Sequence, residues 1–206
     1  MINKYLKDYL KAEIIPIYNN LDLAHQSDHV YKVIKKSLKI AKDYDVNLEM
    51  IYVIAVFHDV GLITNRKNHH IIGGEMLLND SYLNAYFSKD ELKIMSEAVE
   101  DHRASNDKPP RSIYGKIIAE ADRSDNYLEV IERTVQYGIA NHPNLSFEES
   151  YQRILLHIED KYGENGYLKV WLNTKGVNRM LSTIRKLLKN EKKLKKLIYM
   201  FYHQNR

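Results

Sequence analysis

The chain has 206 residues, no cysteine and a formal net charge of +4. A chain of this length buries roughly 70% of the surface that its unfolded form exposes, so it folds without cross-links. The lack of cysteine excludes disulfide scaffolds, thiolate-ligated metal sites and a cysteine nucleophile. No apolar run approaches the roughly 18 residues of a membrane span. The charged N-terminus lacks the apolar stretch of a signal peptide, so we expect a cytoplasmic protein.

Hydrophobic periodicity predicts helices along the first quarter of the chain. Apolar residues recur at three- and four-residue steps over Ile2–Ile14. Ser27 is the predicted N-cap of a second helix, and Asn47 caps a third from Leu48 to about Val60. Because this third helix is apolar all round at its centre, periodicity alone does not separate a buried strand from a buried helix. Its length, its cap and the terminal Gly61 favour a buried helix.

The rest of the chain has the same helical character. One apolar face extends from Leu92 to His102, a loop covers residues 103–111, and a second face extends from Tyr114 to Asp125. A capping box at Ser146–Glu149 begins another helix, and a last helix is predicted from about Lys175 to Phe201. The chain has no internal repeat and no linker. We therefore predict a single all-α domain over residues 1–206.

The positive charge is concentrated in one segment. Residues 185–196 carry seven basic residues and one acidic residue, a local charge of +6, which leaves the rest of the chain at −2. Leucines alternate with these charges, which favours a terminal amphipathic helix with its lysines in water. RNA, an acidic partner or an anionic membrane surface are the alternatives for this segment. Because the rest of the chain is not basic, we do not expect nucleic acid as its partner.

Polar side chains of the metal-ligand type occupy inward-facing positions on successive predicted helices. A buried carboxylate is costly unless it is paired or bound to metal, and helical bundles build metal centres from facing helices. Each residue alone also fits a hydrogen-bonded core position, but their number and order favour a shared divalent cation. In a chain without thiols, imidazole and carboxylate supply the ligands. The residues are His29, His58, Asp59, His69 or His70, His102 and Asp122.

The order of these residues, H…HD…D, resembles the HD superfamily of metal-dependent phosphohydrolases. The segment from Asp28 to Val33 resembles the family's first-His helix, with Lys32 in place of the usual Arg. Three further segments resemble features of the family. Ala55–Gly61 resembles the apolar helix that ends in His-Asp, His69–Glu75 resembles the H-x-x-x-G helix start, and Ala119–Arg123 resembles the final Ala-Asp segment. The resemblance covers about residues 20–130, which leaves a helical extension over about residues 131–206.

The resemblance implies a fold and a ligand set. The fold is an all-α, single compact helical bundle of the HD-domain type with extra C-terminal helices. A first divalent metal would be held by His29, His58, Asp59 and Asp122. In branches with a second metal, Asp59 would bridge the two ions and His69 and His102 would complete the site. Asp59 is also the implied catalytic residue. Mn, Fe, Co, Ni, Zn or Mg are all compatible with such ligands.

The implied activity is hydrolysis of a phosphoester or phosphoanhydride in a small nucleotide-like substrate, by attack of metal-bound hydroxide. Dinucleoside polyphosphates and nucleoside mono- or triphosphates are the substrate types that the resemblance suggests. The alternatives are a metal- and nucleotide-binding module without turnover, or a di-iron oxygenase of the same fold. The protein is also a candidate homo-oligomer.

Several further residues are candidates for contacts around the metal. The substrate's phosphates would be bound by four basic residues, each of which equally fits a solvated charge: Arg103, Arg111, Lys116 and Arg123. Asp125 and His70 are candidates for hydrogen bonds that support a ligand. For His70, as for His25, a position without a role in the site is the simpler interpretation.

Overall fold

The structure is a computed structural model that describes residues 2–21, 27–106 and 108–206. The protein is 72% helical, with eleven α-helices and no strand among the residues described. The predicted all-α class is therefore confirmed. None of the described helices has the length and apolar character needed to span a membrane.

The chain divides into two compact units, Met1–Asp122 and Arg123–Arg206. Among the described residues of the first unit, a π-helical turn, Leu10–Ile14, and two 3-10 segments, Ile15–Asn20 and Val60–Ile63, supplement the α-helices. Whether the units make one domain, as the sequence predicts, stays a prediction. The α-helices of the first unit are α1 (Lys4–Tyr9), α2 (Ser27–Ala41), α3 (Leu48–Phe57), α4 (His69–Leu78), α5 (Ser81–Tyr86), α6 (Lys89–Asp101) and α7 (Ile113–Asp122), and those of the second are α8 (Tyr127–Asn141), α9 (Phe147–Tyr162), α10 (Lys175–Leu188) and α11 (Glu191–Gln204).

Helix α3 forms the centre of the first unit. All eight residues from Met50 to Phe57 are buried, and α2, α4, α6 and α7 pack around the helix. The predicted buried helix is therefore confirmed, but α3 ends at Phe57, before the predicted Val60. The reason is the backbone at Asp59, which leaves the helical region at φ −114° and ψ 2° and leads into a 3-10 turn. The C-terminal end of α3 thus lies inside the protein.

Two glycines allow this end of α3 to approach the start of α4. A Cβ at Gly61 would collide with the backbone carbonyl of His69. A Cβ at Gly73 would lie 2.9 Å from the carbonyl oxygen of Phe57, closer than side chains normally approach backbone. The close packing therefore requires glycine at both positions, and it brings His69 near His58 and Asp59.

The second unit contains the basic segment over residues 185–196. The predicted last helix is interrupted, because α10 ends at Leu188 and Asn190 caps α11 by accepting a hydrogen bond from the Lys193 N–H. Leu194 and Ile198 of α11 are buried. Several lysines of the segment are exposed, and Lys195 pairs with Glu148 at 2.8 Å. This arrangement agrees with the interpretation of the segment as an amphipathic terminal region.

Candidate metal centre

The six residues that the sequence singles out all lie at or near helix ends in the first unit. His58 caps the C-terminus of α3, His102 caps α6, and Asp59 follows His58 directly. His29 lies in the first turn of α2, His69 begins α4 and Asp122 ends α7. Because these ends converge, side chains from five helices face one another.

A first cluster joins His29, His58, Asp59 and Asp122, whose ligand atoms all lie within 4.8 Å of one another. His29 Nε2 lies 3.2 Å from Asp122 Oδ1 and 3.5 Å from Asp59 Oδ2. His58 Nε2 lies 3.1 Å from Asp59 Oδ2. Two imidazoles and two carboxylates thus surround one point, which is a donor set that suits a divalent transition metal.

A second cluster joins Asp59 with His69 and His102, again within 4.8 Å. The Nε2 atoms of both histidines lie 3.5 Å from Asp59 Oδ1. Asp59 therefore divides its two oxygens, with Oδ2 toward the first cluster and Oδ1 toward the second. A carboxylate in this position is suited to bridge two cations.

The residues of both clusters differ in exposure. His58, Asp59 and His102 are buried, whereas the Asp122 side chain is 29% exposed and that of His69 is 12% exposed. A buried carboxylate surrounded by imidazoles requires a cationic partner, which fits a metal at these residues. The partial exposure of Asp122 and His69 indicates that solvent reaches the centre from their side.

Comparison with protein families returns one match. The model of the family described as HD domain matches residues 27–127, a segment that includes all six residues. The chain contains an HD domain. The family recognised from the sequence is therefore confirmed. Comparisons with curated proteins and with solved structures find no match.

Three imidazoles of the HD domain are oriented in the same way, by a hydrogen bond to the carbonyl three residues earlier. The distances from Nδ1 are 2.8 Å for His58 to Ala55, 2.8 Å for His69 to Arg66 and 2.6 Å for His102 to Val99. A carbonyl only accepts, so Nδ1 must carry the proton in each ring. In the neutral form of each ring, the Nε2 lone pair then points at the cluster, as a metal ligand requires.

The electrostatics of the two carboxylates favour their ionised form. Burial opposes ionisation of Asp59, but the surrounding His58, His102 and His29 hold its pKa well below the usual range. The pKa of Asp122 is likewise lowered, because the contact with His29 outweighs burial. Both side chains are therefore anionic at neutral pH and able to bind cations.

The histidines respond to the same contacts in different directions. Burial lowers the pKa of His29, but hydrogen bonds to Asp122 and Asp59 outweigh burial and raise it to about 9. Burial also lowers the pKa of His102, but the hydrogen bond to Asp59 outweighs burial and raises it. The pKa of His69 is lowered, by burial and by the neighbouring His102. The centre without metal therefore holds a proton on His29 that a cation would displace.

The predicted phosphate-binding residues have different surroundings. Arg103 follows His102, and its Nη1 donates to the carbonyl of Lys67 at 2.9 Å, which ties α6 to the segment before His69. Arg111 pairs instead with carboxylates along α6: Glu100 at 2.6 Å, Asp101 at 2.9 Å and Glu97 at 3.8 Å. Lys116 is half-buried on α7. Arg123 is buried and belongs to the second unit.

The remaining candidates are less closely involved. The His70 ring centre lies 5.5 Å from that of His69, and burial together with the nearby His69 and Arg103 lowers its pKa to about 4. Asp125 lies in the second unit and packs against Gly176. A Cβ added at position 176 would lie 2.8 Å from the Cβ of Asp125. His25 falls outside the described residues.

One residue next to the HD pair was not anticipated from the sequence. The Tyr18 hydroxyl donates to the Val56 carbonyl at 2.8 Å and accepts from the Asp59 N–H at 3.3 Å. The chain has 16 tyrosines spread along its length, so nothing in the sequence distinguishes this one. The apolar periodicity that predicts the N-terminal helix also ends at Ile14, before Tyr18.

Proposed function

We propose that this HD domain is a metal-dependent phosphohydrolase that cleaves a phosphoester or phosphoanhydride in a small nucleotide-like substrate. The observation that carries the proposal is the position of Asp59, whose Oδ2 faces His29 and His58 and whose Oδ1 faces His69 and His102. HD domains occur mostly in metal-dependent phosphohydrolases. A centre that can take two ions suits displacement at phosphorus, which needs charge stabilised on both sides.

The two clusters support a division of the ligands between two ions. His29, His58, Asp59 and Asp122 would hold one ion, and Asp59, His69 and His102 would hold the other. When bound, divalent cations lower the pKa of water and neutralise charge on phosphate oxygens. The donor set of nitrogen and oxygen is compatible with Mn, Fe, Co, Ni, Zn or Mg.

The chain's own residues orient and shield this centre. The bonds from His58, His69 and His102 Nδ1 to backbone carbonyls fix the three rings, so no reorganisation is needed when substrate arrives. The burial of His58 and Asp59 excludes bulk water from one side, which strengthens electrostatic interactions there. Substrate would approach from the side of Asp122 and His69, where the side chains are partly exposed.

Arg103 is the basic residue that the structure best supports as a phosphate contact. It directly follows His102, and its bond to the Lys67 carbonyl holds the guanidinium near the second cluster. A guanidinium has five N–H donors, so Arg103 keeps donors for a phosphate while it holds this carbonyl. Arg111 already has three carboxylate neighbours, and Lys116, Arg123 and Asp125 remain proposals from the sequence.

The test combines metal loading with a substrate panel. Purified protein would be loaded with each of the six metals and assayed on a generic phosphodiester, dinucleoside polyphosphates, and nucleoside mono- and triphosphates. We expect metal-dependent cleavage that Asp59→Asn lowers by roughly a hundredfold or more. The exposed Asp43 supplies the matched control, Asp43→Asn, which should retain full activity.

Two other outcomes would replace the proposal. Metal and nucleotide binding without turnover under any loading would indicate a binding module. Consumption of O₂ by the iron-loaded protein, without phosphate release, would indicate a di-iron oxygenase. Binding of no metal at all would remove the basis of all three functions.

A further inference from the structure

The hydroxyl of Tyr18 lies at the point where α3 ends and the HD pair begins. Tyr18 is fully buried, and its hydroxyl oxygen lies 2.8 Å from the Val56 carbonyl, 3.3 Å from the Asp59 backbone nitrogen and 3.4 Å from His58 Nδ1. It therefore contacts the backbone on both sides of His58 as well as the His58 ring.

The donors and acceptors in this group are complementary. A phenolic hydroxyl donates one hydrogen bond and can accept two. Its proton goes to the Val56 carbonyl, which only accepts, and one lone pair receives the Asp59 N–H. The other lone pair faces the Nδ1–H of His58, which the Ala55 carbonyl shares at 2.8 Å. The hydroxyl thus favours the tautomer that leaves the His58 Nε2 lone pair free for the cluster.

The contact also holds the backbone where its conformation changes. The last carbonyls of an α-helix lack partners further along the helix, and Asp59 turns out of the helical region at φ −114° and ψ 2°. By connecting Val56 to Asp59, Tyr18 bridges this turn. Because the Asp59 carboxylate serves both clusters, its backbone position affects the geometry of each.

An irregular N-terminal segment brings Tyr18 to this position. The buried residues of α1 and the π-helical turn recur every four residues, at Leu6, Leu10 and Ile14, and burial then shifts to Ile15 and Tyr18 in the 3-10 segment. The HD domain match begins at residue 27, so this segment lies outside it. The segment before the matched region therefore contributes a side chain to the centre.

We propose that Tyr18 is a positioning residue for the HD pair, which holds His58 and Asp59 in the geometry that binds metal. The inference rests on the metal centre of the proposed function. Removal of outer hydrogen-bond partners typically weakens metal binding by about 10–100-fold. We expect Tyr18→Phe, which keeps the ring and removes the three hydroxyl contacts, to show a loss of this size.

Tyr202 provides a matched control in the second unit. It is buried, its hydroxyl donates to the backbone carbonyl of Leu145 at 3.2 Å, and it accepts from Arg206 at 2.6 Å. Tyr202→Phe therefore removes one donated and one accepted bond, as Tyr18→Phe does for its two shortest contacts. Both variants and wild type would be titrated with Mn²⁺ by calorimetry, and their folding checked by circular dichroism and thermal unfolding.

The expected result is a 10–100-fold weaker Mn²⁺ affinity in Tyr18→Phe and an unchanged affinity in Tyr202→Phe, about the range that outer partners give. Equal affinity in Tyr18→Phe and wild type would overturn the inference while leaving the metal centre intact. Failure of wild type to bind Mn²⁺ would instead count against the proposed function, so the two failures are distinguishable.

A second measurement does not depend on the folding of a variant. In the metal-free wild type, the Asp59 amide should be protected from hydrogen exchange to the same degree as amides within α3, because the Tyr18 hydroxyl holds it. Rapid exchange at Asp59 alone would show that the contact is not maintained and would overturn the inference.

Discussion

The Nε2 atoms of His29 and His58 lie 3.2 Å apart, at hydrogen-bond distance, although they come from different helices. His58 donates through Nδ1 to Ala55, so the neutral tautomer of its ring presents a lone pair at Nε2. With His58 in this tautomer and no metal bound, the proton between the two rings belongs to His29, whose pKa is raised to about 9. The same geometry places both nitrogens correctly for a shared cation, which would replace this proton.

The number of metal ions per chain should depend on which cluster a substitution affects, because Asp59 belongs to both clusters. We expect about two ions per chain in protein purified without chelator. His102→Ala removes a ligand of the second cluster alone and should leave about one ion, whereas Asp59→Ala removes the shared ligand and should leave almost none. Elemental analysis measures all three.

The control for this series is His157→Ala, which removes an exposed histidine of α9 and should retain two ions. If His102→Ala kept both ions, or if wild type held one ion that His102→Ala did not remove, the second cluster would not be a metal site. The substrate screen would then begin with nucleoside mono- and triphosphates instead of dinucleoside polyphosphates.

The stability of the metal-free protein should fall as the pH rises above about 6.5. The pKa of His29 is raised to about 9 in the folded protein, above the ordinary histidine value of about 6.5. Between these pH values the folded state thus binds more protons than the unfolded state. The resulting stabilisation of about 3 kcal/mol is complete below pH 6.5 and is lost as the pH rises through about 9. The lowered pKa values of Asp59 and Asp122 have the opposite pH dependence. Their stabilisation of the folded state is lost in acid, so the protein should also become less stable below about pH 4.

Urea unfolding from pH 3 to 10 in the presence of chelator measures this profile. The metal-loaded protein should lose the decline above pH 6.5, because the cation has already displaced the His29 proton. In His29→Ala without metal the decline should be smaller, and the part that remains comes from His102, whose pKa Asp59 also raises. A chelated wild type as stable at pH 9 as at pH 6 would contradict the assignment of the proton to His29.

The sequence predicts the residues of the two clusters better than the contacts that hold them in place. The six residues in both clusters are recognisable because histidine and aspartate are unusual at apolar helix positions, and their order resembles the HD superfamily. The end of α3 at Phe57 was not predictable, since the contacts beside the turn at Asp59 are long-range: Gly61 packs against His69, and the Asp59 N–H donates to Tyr18. Such long-range contacts produce no periodic signal.

Arg103→Ala should weaken substrate binding more than it affects folding. Its guanidinium bonds to the Lys67 carbonyl beside His69 and retains donors for phosphate. Charge-assisted hydrogen bonds contribute about 1.5–3 kcal/mol, which predicts a rise in KM of roughly 10–100-fold. Steady-state kinetics measure this change, with Lys93→Ala, an exposed cation on α6, as the charge-matched control. An unchanged KM in Arg103→Ala would show that the residue serves only to hold Lys67.

Gly73→Ala should disturb the second cluster from a distance. The added Cβ would lie 2.9 Å from the Phe57 carbonyl and 3.2 Å from a Val99 methyl, so α4 must move away from α3. Overpacking of this kind costs about 1–3 kcal/mol, and the shift carries His69 away from Asp59 because His69 begins α4. We expect a lower unfolding temperature and weaker binding of the second ion.

A matched substitution separates the steric effect from the change in helix propensity. Gly138 is also a buried glycine in the interior of a helix, but a Cβ there meets only the flexible end of Arg153, at 3.3 Å. Gly138→Ala should therefore stabilise the protein by up to about 1 kcal/mol and leave metal content unchanged. If Gly73→Ala behaved in the same way, α4 would have room to accept a side chain, and the close contact between Gly73 and the end of α3 would not be what positions His69.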